Sequence, residues 1–390
     1  MRILLISPWN PWPIDSGSRQ RAALIIEGLA VSHTVFVCHG LQESHPIPCL
    51  RNLPRNVEQW MAFDWPRGCN PLQKPRPNNH NAKLYPDLRP RDIQKMAPFI
   101  PDIKAVFTTF KPDVILALEA DGALITTQLT GVPVVVDQWE PTRITNARCI
   151  TRLRSQLFWW QTMRNITAIT VVSPAEEEAA PRVIGKKVPI FVASNEVCVP
   201  EGYTHEPQES HILFVGNLDY APNRSALLWF ATDVLPTIQQ MIPRAHIQVV
   251  GSGTPIESLL LCPGIVFCGQ IDDIASAYKS AHIVINPVRT GHGSRVKVAE
   301  ARAYSVPVVS FAVGVEPYPS DTGLTVVQDH AACALDFARA VLAILNRGAE
   351  SAIQQDIFSV QSRPENTKLV KTLAGILDTA VSQKTESLCF

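Results

Sequence analysis

The residues best suited to chemistry lie in one segment of the second half, Ile285–Glu300, which reads Ile-Asn-Pro-Val-Arg-Thr-Gly-His-Gly-Ser-Arg-Val-Lys-Val-Ala-Glu. A short apolar run ends at Asn286, a glycine-spaced turn follows, and a helix is predicted to begin near Ser294, whose hydroxyl can cap it. Arg295 and Lys297 would lie in the first helical turn, where cations oppose the helix dipole. Cations in this position are useful if an anion docks against the free backbone N–H groups of the turn.

A carboxylate completes the pattern. Glu300 follows Lys297 by three residues and lies on nearly the same helix face. It can accept hydrogen bonds from vicinal hydroxyls such as those of a ribose. These features predict a nucleoside diphosphate site. The alternative is a helix with a solvated basic start and a Lys297–Glu300 ion pair, and the spacing does not separate the two.

Short apolar runs alternate with helical patterns in the first half of the chain. Strands are predicted at Ile3–Ser7, Thr34–Cys38, Val114–Leu118, Val132–Asp137 and Ala168–Ser173. Helices are predicted at Arg19–Ala30, Ala123–Thr130, Arg152–Asn165 and Ala175–Val183, the last with a capping box at Ser173 and Glu176. Nearly continuous apolar strands are typical of parallel sheets covered on both faces.

The same alternation continues in the second half. Strands are predicted at His211–Val215, His246–Val250, Ile265–Cys268, Ile283–Asn286, Val306–Ser310 and Leu324–Val327. Helices are predicted at Asn223–Gln240, Ile256–Leu261, Ile274–Ser280, Arg295–Tyr304, Ala332–Asn346 and Thr367–Val381. The chain is therefore predicted to be α/β, with two doubly wound parallel sheets that face each other across a cleft.

Domain boundaries follow from composition. Residues 1–198 are predicted to form the first domain and residues 199–365 the second, and residues 366–390 are predicted to form a C-terminal helix. Eleven prolines between residues 46 and 101 predict an irregular insertion at about 43–104, with one short helix near Arg91–Ala97. An acceptor-side lid and a mobile surface insertion are both compatible with this composition.

The bulk composition excludes some function classes. Lys+Arg and Asp+Glu both number 35, so no global basic field attracts nucleic acid. The nine cysteines show no zinc-ligand spacing, and scattered thiols fit a reducing compartment. The first apolar run is too short for a signal peptide, and no stretch reaches about 18 apolar residues. A cytoplasmic location is expected.

The second half resembles the retaining glycosyltransferases of the large fourth sequence family, which have a B-type two-domain fold. Three stretches carry the resemblance: Ile212–Asn223 with Trp229-Phe230 and Val234-Leu-Pro236, Ala245–Gly251 with Gly264–Gly269, and Pro287–Val309. In the first half, Pro13-x-Asp15-x-Gly17-x-x-x-Arg21 is similar, more weakly, to the family's glycine loop.

The resemblance implies a role for each matching position. Arg295 and Lys297 would neutralise the leaving diphosphate, and Glu300 would bind the ribose hydroxyls. Gly216 would let the backbone approach the donor, and Gly17 would close over it. The resemblance also implies that the C-terminal helix at 366–390 packs back towards the first domain. His292, Gly293 and Ser294 belong to the donor-binding turn. Many members carry two glutamates eight positions apart, the second at the position of Glu300 and the first facing the donor sugar. This chain has His292 at the first position, so an imidazole or the neighbouring backbone replaces the carboxylate there.

Candidates in the first half are weaker. Glu119 follows one predicted strand and Asp137 ends the next, so both would point at the cleft as catalytic candidates. The plainer interpretations are a solvated turn for Glu119 and a helix cap for Asp137. Arg143 and Arg148 would suit an anionic acceptor. The aromatic and basic stretch Arg152–Arg164 suits either a core helix or a helix at a membrane surface with a lipid-linked acceptor.

The leading hypothesis is therefore an enzyme that transfers a sugar from a nucleoside diphosphate sugar, with retention of anomeric configuration. No Asp-x-Asp motif occurs, so neither a metal nor a bound cofactor is expected. The acceptor could be a saccharide, a lipid-linked molecule or a small molecule, with peripheral contact at the inner membrane face left open. The alternatives are a sugar-nucleotide epimerase, a non-catalytic sugar-nucleotide-binding protein, and a dinucleotide oxidoreductase, suggested by Gly251-x-Gly253.

Overall fold

The computed structural model describes residues 1–12, 14, 16–41, 57–64, 100–137, 141, 166–184, 188–290, 296–315, 318, 323–346 and 363–388. The chain divides into two compact units. The first comprises Met1–Ile14, Ser18–Ser194 and Pro364–Phe390, and the second comprises Asn195–Arg363 together with Asp15–Gly17. The chain thus leaves the first unit after Ser194 and returns to it at Pro364.

The first unit contains a seven-stranded parallel sheet. Its strands are β1 (Arg2–Ser7), β2 (Thr34–Leu41), β3 (Val57–Asp64), β4 (Val114–Leu118), β5 (Val134–Asp137), β6 (Ile166–Val171) and β7 (Ile190–Val192). Their order across the sheet is β3-β2-β1-β4-β5-β6-β7, and each neighbouring pair is parallel. Within the described residues of this unit, the helices are Gly17–Ala30, Ile100–Phe110, Glu119–Thr126, Pro174–Ala179, Pro181–Ile184 and Lys368–Leu388.

Burial explains why these apolar runs become strands. All five residues of β4 and all four of β5 are buried, as expected for parallel strands with both faces covered. The predicted cap at Ser173 is present, because its hydroxyl accepts from the backbone N–H of Glu176 at 3.3 Å. The predicted helix Ala175–Val183 is divided by Pro181, which begins a second short helix.

The prediction of an irregular insertion at 43–104 is wrong where the structure describes it. Val57–Asp64 is a strand that pairs in parallel with β2 at the edge of the sheet. The window between Pro54 and Pro66 contains no proline, so its backbone can form ladder hydrogen bonds. The helix Ile100–Phe110 also begins inside this range. The helix predicted near Arg91–Ala97 and the stretch Arg152–Arg164 lie outside the described residues, as do Arg143 and Arg148.

The second unit contains a six-stranded parallel sheet. Its strands are β8 (His211–Val215), β9 (His246–Val250), β10 (Ile265–Gly269), β11 (Ile283–Asn286), β12 (Val308–Phe311) and β13 (Leu324–Val327). Their order is β10-β9-β8-β11-β12-β13. The α-helices of this unit are Ala221–Trp229, Leu235–Met241, Ile274–Ser280, Val296–Ala303 and Cys333–Leu345.

The helix predicted as continuous over Asn223–Gln240 contains a π-helical turn, Phe230–Val234. The backbone N–H of Leu235 bonds to the carbonyl of Phe230, five residues back. Pro236 follows directly. Its ring has no N–H and would collide with the carbonyl four residues before it, so a regular α-helical ladder cannot pass this point.

The helix Lys368–Leu388 contacts β4, β5 and β6 of the first unit. Leu373 and Leu377 are fully buried there. A Cβ on Gly28 would lie 2.7 Å from a methyl carbon of Val370, so the glycine permits close approach between this helix and Gly17–Ala30. Among the described helices, none is both long and apolar enough to cross a membrane.

Candidate functional site

The loops that follow β8 and β9 touch through their glycines. A Cβ on Gly251 would lie 2.2 Å from the carbonyl oxygen of Gly216, and Gly251 has φ +142°. The backbone N–H of Gly216 donates to the carbonyl of Val250 at 2.9 Å, and that of Leu218 donates to Ser252 at 2.8 Å. Two backbones therefore meet at the carboxyl ends of two central strands, where side chains would keep them apart.

Asn223 links this glycine loop to the helix Val296–Ala303. Its Nδ2 donates to the carbonyl of Asn217 at 3.0 Å, and its Oδ1 accepts from Nζ of Lys297 at 2.8 Å. A Cβ on Gly216 would lie 2.7 Å from that Nδ2. The capping position of the helix Ala221–Trp229 is Tyr220, so Asn223 lies within the first turn of this helix and does not cap it. Its amide instead holds a lysine 74 residues away.

Lys297 lies in the first turn of its helix, as predicted. Its Nζ is 4.8 Å from the ring centroid of Phe214 on β8, so the cation lies over the negative face of the ring. The side chain is half-buried. The structure thus fixes Lys297 at the carboxyl edge of the second sheet, beside Gly216, where an anion bound at the helix start would meet it.

Glu300 is buried one turn further along the same helix, with 7% of its surface exposed. Its Oε2 accepts from the hydroxyl of Tyr278 at 2.7 Å. Tyr278 is fully buried, and its pKa is raised well above 10, first by burial and then by the charge of Glu300. The phenol therefore stays protonated and donates to the carboxylate.

Arg289 fixes the chain just before the predicted glycine turn. Its guanidinium carbon lies 4.1 Å from the ring centroid of Trp229 and 4.9 Å from that of Phe311. Its Nε lies 3.2 Å from Oδ1 of Asp329, and its Nη2 lies 2.7 Å from Sγ of Cys333. Two aromatic rings, a carboxylate and a thiol thus hold the segment that leads into the turn.

The turn itself, with His292, Gly293, Ser294 and Arg295, lies outside the described residues, and the roles assigned to these four remain predictions. Gly17 is the first residue of the helix Gly17–Ala30. No group of three or more His, Cys, Asp or Glu side chains in the described part of the chain could hold a metal ion.

Asp137, a catalytic candidate from the sequence, lies in a buried ion pair. Its Oδ1 and Oδ2 accept from Nη2 and Nε of Arg21, each at 2.8 Å, and Thr170 donates to Oδ1 at 2.5 Å. Both charged side chains are 1% exposed. The pair joins the first helix to β5, and Thr170 adds β6. This geometry favours a role in holding the fold over proton transfer to a substrate.

Glu119 directly follows β4 and begins the next helix with φ 57°, a left-handed conformation that is strained for a residue with a Cβ. Trp9, in the segment after β1, donates to its Oε2 through Nε1 at 3.4 Å. Strain of this kind is often found at functional sites. Glu119 thus remains a candidate at the carboxyl edge of the first sheet.

Comparison with known proteins identifies the architecture. Sucrose-phosphate synthase from Thermosynechococcus elongatus has a TM-score of 0.62 at 16% identity, covering 100% of this chain and 98% of that one. Anabaena Alr3699/HepE in complex with UDP and glucose has a TM-score of 0.58 at 13% identity, covering 100% and 99%. A putative UDP-N-acetylglucosamine 2-epimerase from Listeria monocytogenes has a TM-score of 0.58 at 13% identity, covering 97% and 96%.

These similarities define the class of fold, which is the α/β glycosyltransferase B-type fold with two Rossmann-like parallel sheets, as predicted. Residues 209–347 match the family described as glycosyl transferases group 1. That segment contains Gly216, Asn223, Tyr278, Lys297 and Glu300. No curated protein matches the chain.

Proposed function

We propose that this protein is a glycosyltransferase that transfers a sugar from a nucleoside diphosphate sugar to an acceptor, with retention of anomeric configuration. One observation carries the proposal. Within the segment that matches the glycosyltransferase family, Asn223 lies against Gly216 and links the carbonyl of Asn217 to Lys297 at the carboxyl edge of the sheet, and Glu300 lies one turn beyond. Retention rests on the sequence resemblance.

In this mechanism the diphosphate of the donor docks at the start of the helix Val296–Ala303. Lys297, together with Arg295, neutralises the charge that grows on the leaving diphosphate as the glycosidic bond breaks. Asn223 and Phe214 hold the lysine in place before the donor arrives, so little rearrangement is needed in the transition state. Glu300 accepts hydrogen bonds from the ribose hydroxyls. No metal is required.

Glu119 is the candidate from the first unit for contact with the reacting groups. Asp137 is assigned to the fold because Arg21 and Thr170 already engage its carboxylate. UDP is the first nucleotide to test, since Anabaena HepE has a similar fold and was solved with UDP and glucose.

The test begins with melting temperatures in the presence of UDP, GDP, ADP and dTDP. A ligand at a hundred times its Kd stabilises a protein by about 2.7 kcal/mol, which is readily measured. Lys297→Met and Glu300→Gln should abolish most of the stabilisation. The control is Lys279→Met, because Lys279 is exposed and pairs at 3.1 Å with the exposed Glu206. Stabilisation by none of the four nucleotides would refute the proposal.

Product analysis separates transfer from epimerisation. The similar fold of the Listeria epimerase makes a sugar-nucleotide epimerase the second candidate. Incubation with UDP-glucose and with UDP-N-acetylglucosamine should release UDP slowly by transfer to water, and faster once an acceptor is supplied. An epimerised UDP-sugar without UDP release would establish the alternative. Binding without either product would indicate a non-catalytic protein.

A further inference from the structure

Glu300 is held by a residue that lies outside the stretch Pro287–Val309, in which the candidate phosphate-binding and ribose-binding residues occur. Tyr278 lies 22 residues earlier, on the helix Ile274–Ser280, and its hydroxyl donates to Oε2 of Glu300 at 2.7 Å. The same hydroxyl lies 3.4 Å from the carbonyl oxygen of Lys297. One phenol therefore contacts the helix turn that carries both the proposed phosphate-binding lysine and the proposed ribose-binding carboxylate.

The tyrosine itself is held rigidly. Its ring stacks on Tyr304 with centroids 4.9 Å apart and an interplanar angle of 12°, and Tyr304 in turn meets Tyr203 edge-on at 4.9 Å. Tyr278 is fully buried and Tyr304 is 3% exposed. A ring packed in this way has little freedom to move, so the position of its hydroxyl oxygen is set by the fold.

We propose that Tyr278 is a positioning residue for nucleotide binding, which orients the carboxylate of Glu300 towards the ribose hydroxyls and keeps it ionised. The inference rests on the proposed function, because it assigns Glu300 to the ribose. A carboxylate free to rotate would lose orientation before each binding event. One oxygen anchored by a rigid donor fixes the plane of the whole group.

The hydrogen bond also bears on the charge of Glu300. A donor to the ionised form of a carboxylate favours that form over the protonated one. Tyr278 can serve as this donor across the physiological range, because burial and the neighbouring carboxylate raise its pKa well above 10. Other titratable groups lie near the stacked tyrosines. The charges of Asp273 and Cys198 raise the pKa of Tyr304, and that of Glu206 raises the pKa of Tyr203, in each case less than burial does.

The experiment compares Tyr278→Phe with Tyr304→Phe in the full chain. Both changes remove one hydroxyl from the same stacked pair, but Tyr278 is the member whose hydroxyl bonds to Glu300. Calorimetry should show that Tyr278→Phe raises the Kd for UDP by roughly five- to tenfold, which corresponds to the net contribution of one typical hydrogen bond. Tyr304→Phe should leave Kd nearly unchanged.

Two further measurements separate positioning from a general loss of structure. Tyr278→Phe should not weaken binding of 2′,3′-dideoxy-UDP, which lacks the hydroxyls that Glu300 would contact. In Tyr278→Phe the acid-side loss of UDP binding should move to higher pH, because Glu300 becomes easier to protonate, whereas Tyr304→Phe should keep the wild-type profile. If Tyr278→Phe does not fold, Tyr278→Phe/Glu300→Gln replaces it and should bind UDP as Glu300→Gln does.

The outcomes distinguish this inference from the function on which it rests. Wild-type protein that binds none of UDP, GDP, ADP and dTDP overturns both. Wild-type protein that binds UDP while Tyr278→Phe matches it in Kd and pH profile overturns the positioning role alone. Equal losses for UDP and its dideoxy analogue would also overturn it, because the tyrosine would then act on the fold and not through the ribose.

Discussion

The Arg21–Asp137 pair allows a sharp test of whether Asp137 serves the fold or the reaction. Asp137→Asn keeps the shape of the side chain and removes its charge, which deprives the buried guanidinium of Arg21 of the carboxylate that it contacts through two hydrogen bonds. Both side chains are 1% exposed and share two hydrogen bonds of 2.8 Å, so solvent screens almost nothing. Removing one partner of such a pair costs about 3–5 kcal/mol.

The equivalent change from a carboxylate to an amide at an exposed ion pair provides the control. Arg182 and Glu178 are 2.6 Å apart but 65% and 77% exposed, so Glu178→Gln should cost at most about 0.5 kcal/mol. The double variant Arg21→Met/Asp137→Leu removes both charges and should recover most of the stability, because apolar replacements of a buried pair are often neutral.

The assay is thermal unfolding at pH 7, combined with UDP release from UDP-glucose at a temperature where the variants are folded. Asp137→Asn should melt roughly 10 °C below wild type, by the usual relation between free energy and melting temperature for a unit of this size. Its folded fraction should keep its specific rate. A variant that melts like wild type but releases no UDP would refute the structural role and restore Asp137 as a catalytic residue.

Two further predictions concern the second unit. Gly251→Ala should cost at least about 2 kcal/mol more than Gly202→Ala, since both have positive φ but only at Gly251 would the new Cβ meet backbone; equal melting temperatures would contradict this. Burial lowers the pKa of His205, His211 and His282. Below about pH 6.5 these histidines therefore bind more protons in the unfolded chain than in the folded one, and the free energy of unfolding decreases as the pH falls. Melting temperatures at pH 7.5 and pH 5.5 check this, and equal values would refute it.

Strands in the second unit were predictable because each is a compact apolar run with clear ends. β8, β9, β11 and β13 have the predicted bounds. β3 is not evident from the sequence because the stretch around it is rich in proline, although the window around Val57–Asp64 itself contains none. β7 has three residues, too few for a periodic pattern.

Contacts at the candidate site were predictable in part. The residue types around Lys297 and Glu300 indicate an anion and a polyol, but a local pattern carries no information about partners far along the chain. Asn223 reaches Lys297 over 74 residues, and Arg21 reaches Asp137 over 116. Such pairs depend on strand order, which propensity does not encode. The sequence does place Tyr278 within the predicted helix Ile274–Ser280. Because a buried phenol usually needs a hydrogen-bond partner, its position indicates a polar contact but not that the partner is Glu300.

The return of the chain to its first unit has a consequence for biosynthesis. Translation proceeds from the amino terminus, so the helix Lys368–Leu388 leaves the ribosome after the whole second unit. Until then β4, β5 and β6 lack the helix that contacts them in the finished protein. The unit made first is therefore completed last, and its unfinished apolar face stays accessible to chaperones for as long as the second unit takes to be synthesised.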